Sequence, residues 1–170
     1  MRINSNNFDF HTQRLFIRKM NATDVPYLYA MESKPEVVQY ITGKVLTYEE
    51  TAQKLQKWLT TFDYDNGFGA LAIFLKDEKE FVGLCGIIHE NEVAYRFLPK
   101  FWKKGYGKEI LDWLILYAEV LELNTLKALV IKENEGSLKL LKRKGFEVVD
   151  EQICEHTNLP EFIMELNLEK

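Results

Sequence analysis

The period of the apolar positions changes along this chain, and each change marks an element. Leu15, Phe16 and Ile17 lie between Arg14 and Arg18, a short apolar segment with basic ends that reads as a first strand over 14–18. Asn21 to Asp24 then offer capping residues for a helix that carries Val25, Leu28, Tyr29 and Met31. A second helix is predicted from Thr47. Thr47 and Glu50 have the spacing of a capping box, and Ala52, Leu55 and Leu59 follow on one face. Beyond the turn at 65–67 the pattern becomes strand-like. Segments 70–75 and 81–88 read as a hairpin around Lys76-Asp-Glu-Lys-Glu80, and 93–98 as a neighbouring strand stopped by Pro99. A long helix carries Ile110, Leu111, Leu114, Ile115, Ala118 and Leu121. A strand at 126–131, a short helix at 137–143 stopped by Gly145, and final strands near 146–154 and 162–168 complete the order. Hairpins followed by a strand–helix–strand crossover predict an α+β fold, with a mixed, mostly antiparallel sheet and helices packed on its faces.

Nothing in the chain breaks this order into parts. No repeat, low-complexity tract or Pro/Gly/Ser-rich linker interrupts the 170 residues, so a single domain over 1–170 is expected. With 46% hydrophobic and 28% charged residues, the chain has the composition of an ordinary folded protein. A formal net charge of −4 argues against nucleic acid or a membrane surface as partner. The N-terminal stretch lacks an apolar core, and no apolar run approaches the roughly 20 residues needed to span a bilayer, so the cytoplasm is the expected location. Cys85 and Cys154, each among apolar neighbours, read as buried free thiols of a reducing compartment. Histidines and cysteines do not come at metal-ligand spacing, so no metal is implied. Trp58, Phe62 and Tyr64 read as packing for a helical lid or lining for a substrate cleft.

The most informative stretch is Phe97-Leu-Pro-Lys-Phe-Trp-Lys-Lys-Gly-Tyr-Gly-Lys-Glu109. A strand ends at Pro99, a basic and aromatic loop follows, and Gly105-Tyr106-Gly107 opens the long helix. Free backbone N–H groups at a helix start, with the helix dipole behind them, make an anion site. Glycine allows an anion to approach the amides, and Lys103, Lys104 and Lys108 add positive charge. The stretch is neither G-x-x-x-x-G-K-[ST] nor G-x-G-x-x-G, and no G-x-S-x-G elbow occurs elsewhere.

In this context the sequence resembles the GNAT acetyltransferases, whose coenzyme A loop follows a strand with the pattern [Q/R]-x-x-G-x-[G/A]. Trp102-Lys-Lys-Gly-Tyr-Gly107, with Phe97-Leu-Pro99 before it, is closest to the ribosomal-protein-acetylating (RimJ/RimL-like) branch, with Lys103 where glycine is frequent. Thr12-Gln-Arg-Leu-Phe-Ile-Arg18, Thr23-Asp24 and Pro35-Glu-Val-Val-Gln-Tyr40 resemble that branch's N-terminal signature. Phe81-Val-Gly-Leu-Cys-Gly86 with Glu92-Val-Ala-Tyr95 resembles its central hairpin. Asn134-Glu-Gly-Ser137 with Lys144-Gly-Phe146 resembles a later segment.

The resemblance implies a GNAT-like fold in which two parallel strands splay apart, one bearing Phe97 and the other Leu129, to form the acetyl-CoA cleft. It implies that amides from Trp102 to Lys108 (Trp102, Lys103, Lys104, Gly105, Tyr106, Gly107, Lys108) cradle the diphosphate. Main-chain groups of Phe97 and Leu98 would pair with the pantetheine arm, and Asn134 would help to position it, or serve simply as the N-cap of the next helix. An attacking amine must be neutral, whereas lysine-type amines have pKa values near 10.4 and α-amines near 8, so a base is needed. Glu92 is the first candidate, with Glu90 and His89 as alternates on the same turn. The tyrosine acid of many such enzymes is replaced here by Leu141, and Ser137 is the substitute that the branch suggests. The implied function is transfer of acetyl from acetyl-CoA to a primary amine of a small molecule or a protein N-terminus. A homodimer is compatible with similar proteins. The competing readings are a non-catalytic coenzyme A-binding module and, more remotely, a nucleotide-binding regulator.

Overall fold

The computed structural model describes residues 9–169. Eight strands form one sheet: β1 (Phe10–His11), β2 (Leu15–Lys19), β3 (Leu71–Leu75), β4 (Phe81–Ile88), β5 (Glu92–Phe97), β6 (Thr125–Ile131), β7 (Glu147–Ile153) and β8 (Pro160–Asn167), in the order β1-β2-β3-β4-β5-β6-β8-β7. Every neighbouring pair is antiparallel except β5 and β6. Helices α1 (Val25–Glu32), α2 (Pro35–Val38) and α3 (Tyr48–Thr61) lie in the first half, α4 (Tyr106–Val120) and α5 (Glu135–Arg143) in the second.

Strand alternation divides the core into two apolar layers. On one face Ile17, Ile73, Val93, Ala128 and Val130 pack against Ile110, Leu111 and Leu114 of α4 and Leu141 of α5. On the other, Ala70, Ala72, Phe74, Phe81 and Leu84 pack against Leu28 and Met31 of α1 and Leu55 of α3. Helices therefore cover both faces, as the alternation and crossover require.

Three local differences from the sequence reading have simple causes. The Asn21 cap serves a 3₁₀ turn at Ala22–Asp24 before α1 begins, because the Asp24 carboxylate turns back to the Asn21 amide at 2.8 Å and to Arg18 at 2.7 Å. Strand β1 and helix α2 are too short for a hydrophobic period to register. Helix α5 starts at Glu135, ahead of the expected 137, because the Asn134 side-chain oxygen caps it by accepting from the Ser137 amide at 3.3 Å. The Thr47 capping box is present in both directions, Thr47 N–H to Glu50 Oε2 at 2.8 Å and Glu50 N–H to Thr47 Oγ1 at 3.2 Å.

One polar cluster crosses the α1–α3 layer. Glu32 of α1 is fully buried and accepts from Lys54 of α3 at 3.0 Å and from Arg96 of β5. It ties both helices to the strand that borders the cleft described next.

Candidate active site

The parallel pairing of β5 with β6 is confined to one end. Glu92 opposes Lys127, the Lys127 amide donates to the Asn91 carbonyl at 2.9 Å, and the Asn91 side chain reaches Thr125 Oγ1 at 3.0 Å. Past this anchor the ladder stops, while β5 stays paired to β4 up to Phe97 and β6 to β8 along its whole length. The two strands therefore diverge into a V-shaped cleft. Backbone direction alternates along β5. The Leu98 amide donates to Val82 on the β4 side at 2.9 Å, whereas the Asn91 carbonyl faces β6, so beyond the anchor the main chain of Tyr95 and Phe97 faces the opening.

Side chains alternate in the other sense. Tyr95 and Phe97 point toward α4 and α5, where Tyr95 meets Ser137 and Phe97 lies beside Gly107. Arg96 points toward α1 and α3, where it meets Glu32, and Glu92 shares its face. The cleft thus has two walls of different chemistry.

At the wide end lies the basic and aromatic loop. Lys103 has φ 58° and Gly105 has φ 83°, two left-handed residues bracketing Lys104. Such alternation turns successive amides inward into an anion-binding nest. The backbone N–H groups of Lys103, Lys104, Gly105, Tyr106, Gly107 and Lys108 have no hydrogen-bond partner among the described residues, and Gly105 supplies no side-chain cap to α4. The dipole of this long helix points its positive end at the same spot. Lys103, at the position where the resembling proteins often have glycine, has the conformation that favours glycine.

Two expected contributions differ. The Trp102 amide already donates to the Pro99 carbonyl at 3.1 Å, so the unpartnered run starts at Lys103. Trp102 acts instead through its indole N–H, which donates to the Phe97 carbonyl at 2.8 Å and braces the end of β5. Leu98 has both main-chain groups engaged, its amide with Val82 and its carbonyl with the Phe101 amide at 2.9 Å, because the chain turns sharply at Pro99. The Phe97 amide is left as the main-chain donor facing the cleft at this end. The lysines also differ in commitment. Lys108 is held by Asp112 at 2.9 Å, while Lys103 has no partner among the described residues.

Arg14, which had no assigned part in the site, sits over the nest. Its guanidinium donates from Nε to Glu109 at 2.7 Å and from Nη1 to the Lys104 carbonyl at 2.9 Å, and lies 4.2 Å from the Tyr106 ring centre. Burial alone would raise the Glu109 carboxyl, but donors from Thr12 and Arg14 outweigh it and hold the group below its ordinary range. The carboxylate accepts from the Thr12 hydroxyl and from the Arg14 amide and Nε, which fixes Arg14 and the loop. Only the folded hairpin before β2 brings this arginine here, and no local motif signals it.

Gly105 makes a specific prediction. A side chain there is strained at φ 83°, and its Cβ would lie 3.3 Å from Arg14 Nη2. Forcing valine into this conformation costs about 1–3 kcal/mol, which corresponds to roughly 5- to 150-fold in an equilibrium constant. Gly105→Val is expected to weaken coenzyme A binding within that range, read by calorimetric titration, with far-UV circular dichroism unchanged. Undiminished affinity would remove the loop from consideration.

The catalytic candidates lie on the two walls of the cleft. Ser137, in the first turn of α5, lies 2.9 Å from the Tyr95 hydroxyl. Asn134 is an N-cap through its side-chain oxygen, which leaves its side-chain amide for another partner. Leu141 is buried in the core and offers no polar group. On the opposite wall, Glu92 is half-buried. Burial pushes its carboxyl above the ordinary value and nearby Glu161 adds to this, while His89 and Lys127 act against it. His89 and Glu90 are exposed in the turn before β5. Tyr64 is buried, donating to the Ala70 carbonyl at 2.9 Å; Phe62 packs on it and on Trp58 of α3, and Phe62 and Tyr64 also line a small cavity with Lys19 and Asp63.

Helix α2 and the segment after it border a cavity of about 640 Å³ lined in part by Pro35, Val38, Gly43 and Val45. Gly43 approaches Thr157 of the β7–β8 connection. This cavity belongs to the helical roof and not to the nest. Among the described residues no group of His, Cys, Asp and Glu is placed to hold a metal ion, and no helix is long and apolar enough to cross a membrane. Both cysteines are buried and free, and burial raises the Cys85 thiol well above its usual range.

Comparison with known proteins agrees with this geometry. Residues 14–147 match the acetyltransferase (GNAT) domain. The chain is 31% identical over 144 residues to the uncharacterized N-acetyltransferase p20 of Bacillus licheniformis, covering 81% of each chain. Among solved structures, a GNAT-family acetyltransferase from Bacillus anthracis superposes with a TM-score of 0.81 at 23% identity, over 95% of this chain and 99% of the other. Spermidine N-acetyltransferase from Vibrio cholerae, in complex with CoA and spermine, superposes with a TM-score of 0.77 at 17% identity, over 91% and 95%.

Proposed function

The chain belongs to the GNAT acetyltransferases and is an N-acetyltransferase, and from that premise we propose that it moves acetyl from acetyl-CoA to a primary amine by direct attack of the amine on the thioester. The observation that carries the cosubstrate is the run of unpartnered amides from Lys103 to Lys108 at the start of α4. Their inward turn fits a diphosphate, and Lys103 and Arg14 add charge at its rim. The pantetheine arm runs along β5 and is met by the Phe97 amide, with the Asn134 side-chain amide across the gap. Acetyl-CoA supplies the activated acyl group, and the rest of the chemistry falls to the two walls.

On the α1–α3 wall, Glu92 takes the proton from the incoming ammonium. A carboxyl raised above its ordinary value by burial is a stronger base than a free glutamate. The carbonyl oxygen, which gains charge as nitrogen attacks, is met by a main-chain N–H of β5. On the α5 wall, Ser137 stands where sulfur departs. Base and donor thus lie on opposite faces of one strand, so the amine enters from beneath the helical roof while the thiol leaves on the other side. Glu92 and Glu161 stand on the amine side with His89 and Lys127 beside them, and the acceptor is either a small-molecule amine or a protein N-terminus. Assignment to the RimJ/RimL-like branch rests on Trp102-Lys-Lys-Gly-Tyr-Gly107 together with the N-terminal, hairpin and Asn134–Ser137 segments that resemble it.

The competing non-catalytic module keeps the nest but not the turnover, and buried Leu141 in place of a tyrosine is the feature that favours it. Incubation with acetyl-CoA and a panel of polyamines, aminoglycosides and peptides with free N-termini, with free thiol monitored, separates the two. Amine-dependent thiol release is expected. Tight coenzyme A binding without release across the panel would leave the module.

A further inference from the structure

We propose that Tyr95 is a positioning residue that aims the Ser137 hydroxyl proton into the cleft, toward the departing sulfur; this rests on the acetyl-transfer reading and on the part it gives Ser137. The two residues belong to opposite arms of the V, Tyr95 to β5 and Ser137 to the helix that follows β6. Their hydroxyls meet at 2.9 Å although the strands themselves have parted beyond Glu92 and Lys127. This is a side-chain bond closing a gap that the backbone ladder leaves open.

A hydroxyl has one proton and two lone pairs, so the direction of the bond decides what remains for a ligand. If Ser137 donated to Tyr95, its only proton would be used and the sulfur would meet lone pairs. If Tyr95 donates, Ser137 accepts and its own proton is turned away, toward the cleft. A phenol is a better acid than an aliphatic alcohol and hence the better donor. Burial of its hydroxyl also pushes Tyr95 up to about 12, so the phenol keeps its proton throughout the working range. The backbone of Ser137 is fixed from below by the Asn134 cap. With Leu141 apolar, this pair is the hydroxyl chemistry that the α5 wall offers.

The step balances without a net proton from either hydroxyl. Nitrogen bonds to the acyl carbon, the carbon–sulfur bond breaks, and its electron pair goes to sulfur. Ser137 donates a hydrogen bond to that thiolate and keeps its proton. Glu92 takes the proton that makes the ammonium a neutral amine and passes it to solvent; the second proton, shed by nitrogen once it has bonded to carbon, leaves by the same route, and the thiolate takes one from water after release.

Tyr95→Phe keeps the ring and its packing and removes only the hydroxyl. In steady-state assays at saturating amine, kcat is expected to fall about tenfold with the KM for acetyl-CoA changed less than twofold. Ser137→Ala is expected to fall at least as far. The double variant should be no slower than Ser137→Ala alone, because Tyr95 acts through Ser137 and its loss then costs nothing more. Thermal melts check that each variant is folded. Full activity of Tyr95→Phe, or a double variant slower by the product of the two single effects, would overturn the positioning role. Full activity of Ser137→Ala would overturn it together with the role of Ser137, while acetyl transfer by the wild type would still stand. A wild type inactive on every amine would instead strike at the proposed function.

Discussion

Glu92→Gln is expected to lower kcat by roughly 10²- to 10⁴-fold, the usual contribution of a positioned base, with the KM for acetyl-CoA nearly unchanged. The amide is almost isosteric and preserves strand pairing with Ile88, so the loss is chemical. The split between kcat and KM follows from geometry, since Glu92 shares the α1–α3 face with Arg96 while the nest lies beyond the other end of β5. The pH dependence has a definite sign. Burial, reinforced by Glu161, raises the Glu92 carboxyl in the folded protein. The ionised base is therefore lost, and kcat with it, as pH falls through a value above the ordinary glutamate figure of about 4.3. The wild-type profile should show that acidic limb and the Glu92→Gln profile should not. An unchanged kcat, or an identical acidic limb in the variant, would move the base elsewhere, with Glu90 and His89 next to be tested.

Glu32→Ala is expected to destabilise the protein by about 3–5 kcal/mol, the usual cost of removing one partner from a buried ion pair, or roughly 10 °C in melting temperature for a chain of this length. The reason is what the substitution leaves behind. Arg96 and Lys54 would remain in the α1–α3 layer, their side chains only 12% and 20% exposed, with no carboxylate facing them. In the native protein, burial pushes the Glu32 carboxyl up, but Arg96 and then Lys54 outweigh it and hold the group below its ordinary value. A depressed carboxyl contributes stability above its unfolded pKa and loses it as pH falls through the folded one. Wild-type melting temperature should therefore drop on acidification below about pH 4.3, more steeply than that of Glu32→Gln. Parallel curves for the two proteins would show that the cluster contributes nothing. Because the cluster ties α1 and α3 to β5, Glu32→Ala should also loosen the amine side of the cleft before the nest.

Much of this architecture was legible from the chain because its elements are locally encoded. The Thr47–Glu50 box, the alternation of 81–88, the helical stripe from Ile110 to Leu121 and Gly145 at φ 91° each carry their own signal within a few residues. The turn from strand to helix that is proposed to hold the diphosphate was legible as a loop for the same reason, since strand, glycines and helix are contiguous. What could not be read was set by contacts distant in sequence. Arg14 reaches Glu109 across 95 residues, Tyr95 reaches Ser137 across 42 and Arg96 reaches Glu32 across 64. Each residue has an ordinary local role as strand flank, strand interior or helix end, and only the fold gives it a partner. The engagement of the Leu98 carbonyl and the Trp102 amide was hidden in another way. It depends on the turn at Pro99, whose hydrogen bonds are made by the main chain and leave no mark on residue type.

The central claim is that the amides from Lys103 to Lys108 hold a diphosphate, and backbone amide NMR shifts during a titration report it directly. Addition of coenzyme A should move the Lys103–Lys108 amide resonances downfield as charge-assisted hydrogen bonds form. Pantetheine, which has the same arm without the diphosphate, should perturb Phe97 and Asn134 but leave that run in place. If coenzyme A leaves those resonances where they are, or if pantetheine shifts them equally, the nest does not hold the diphosphate.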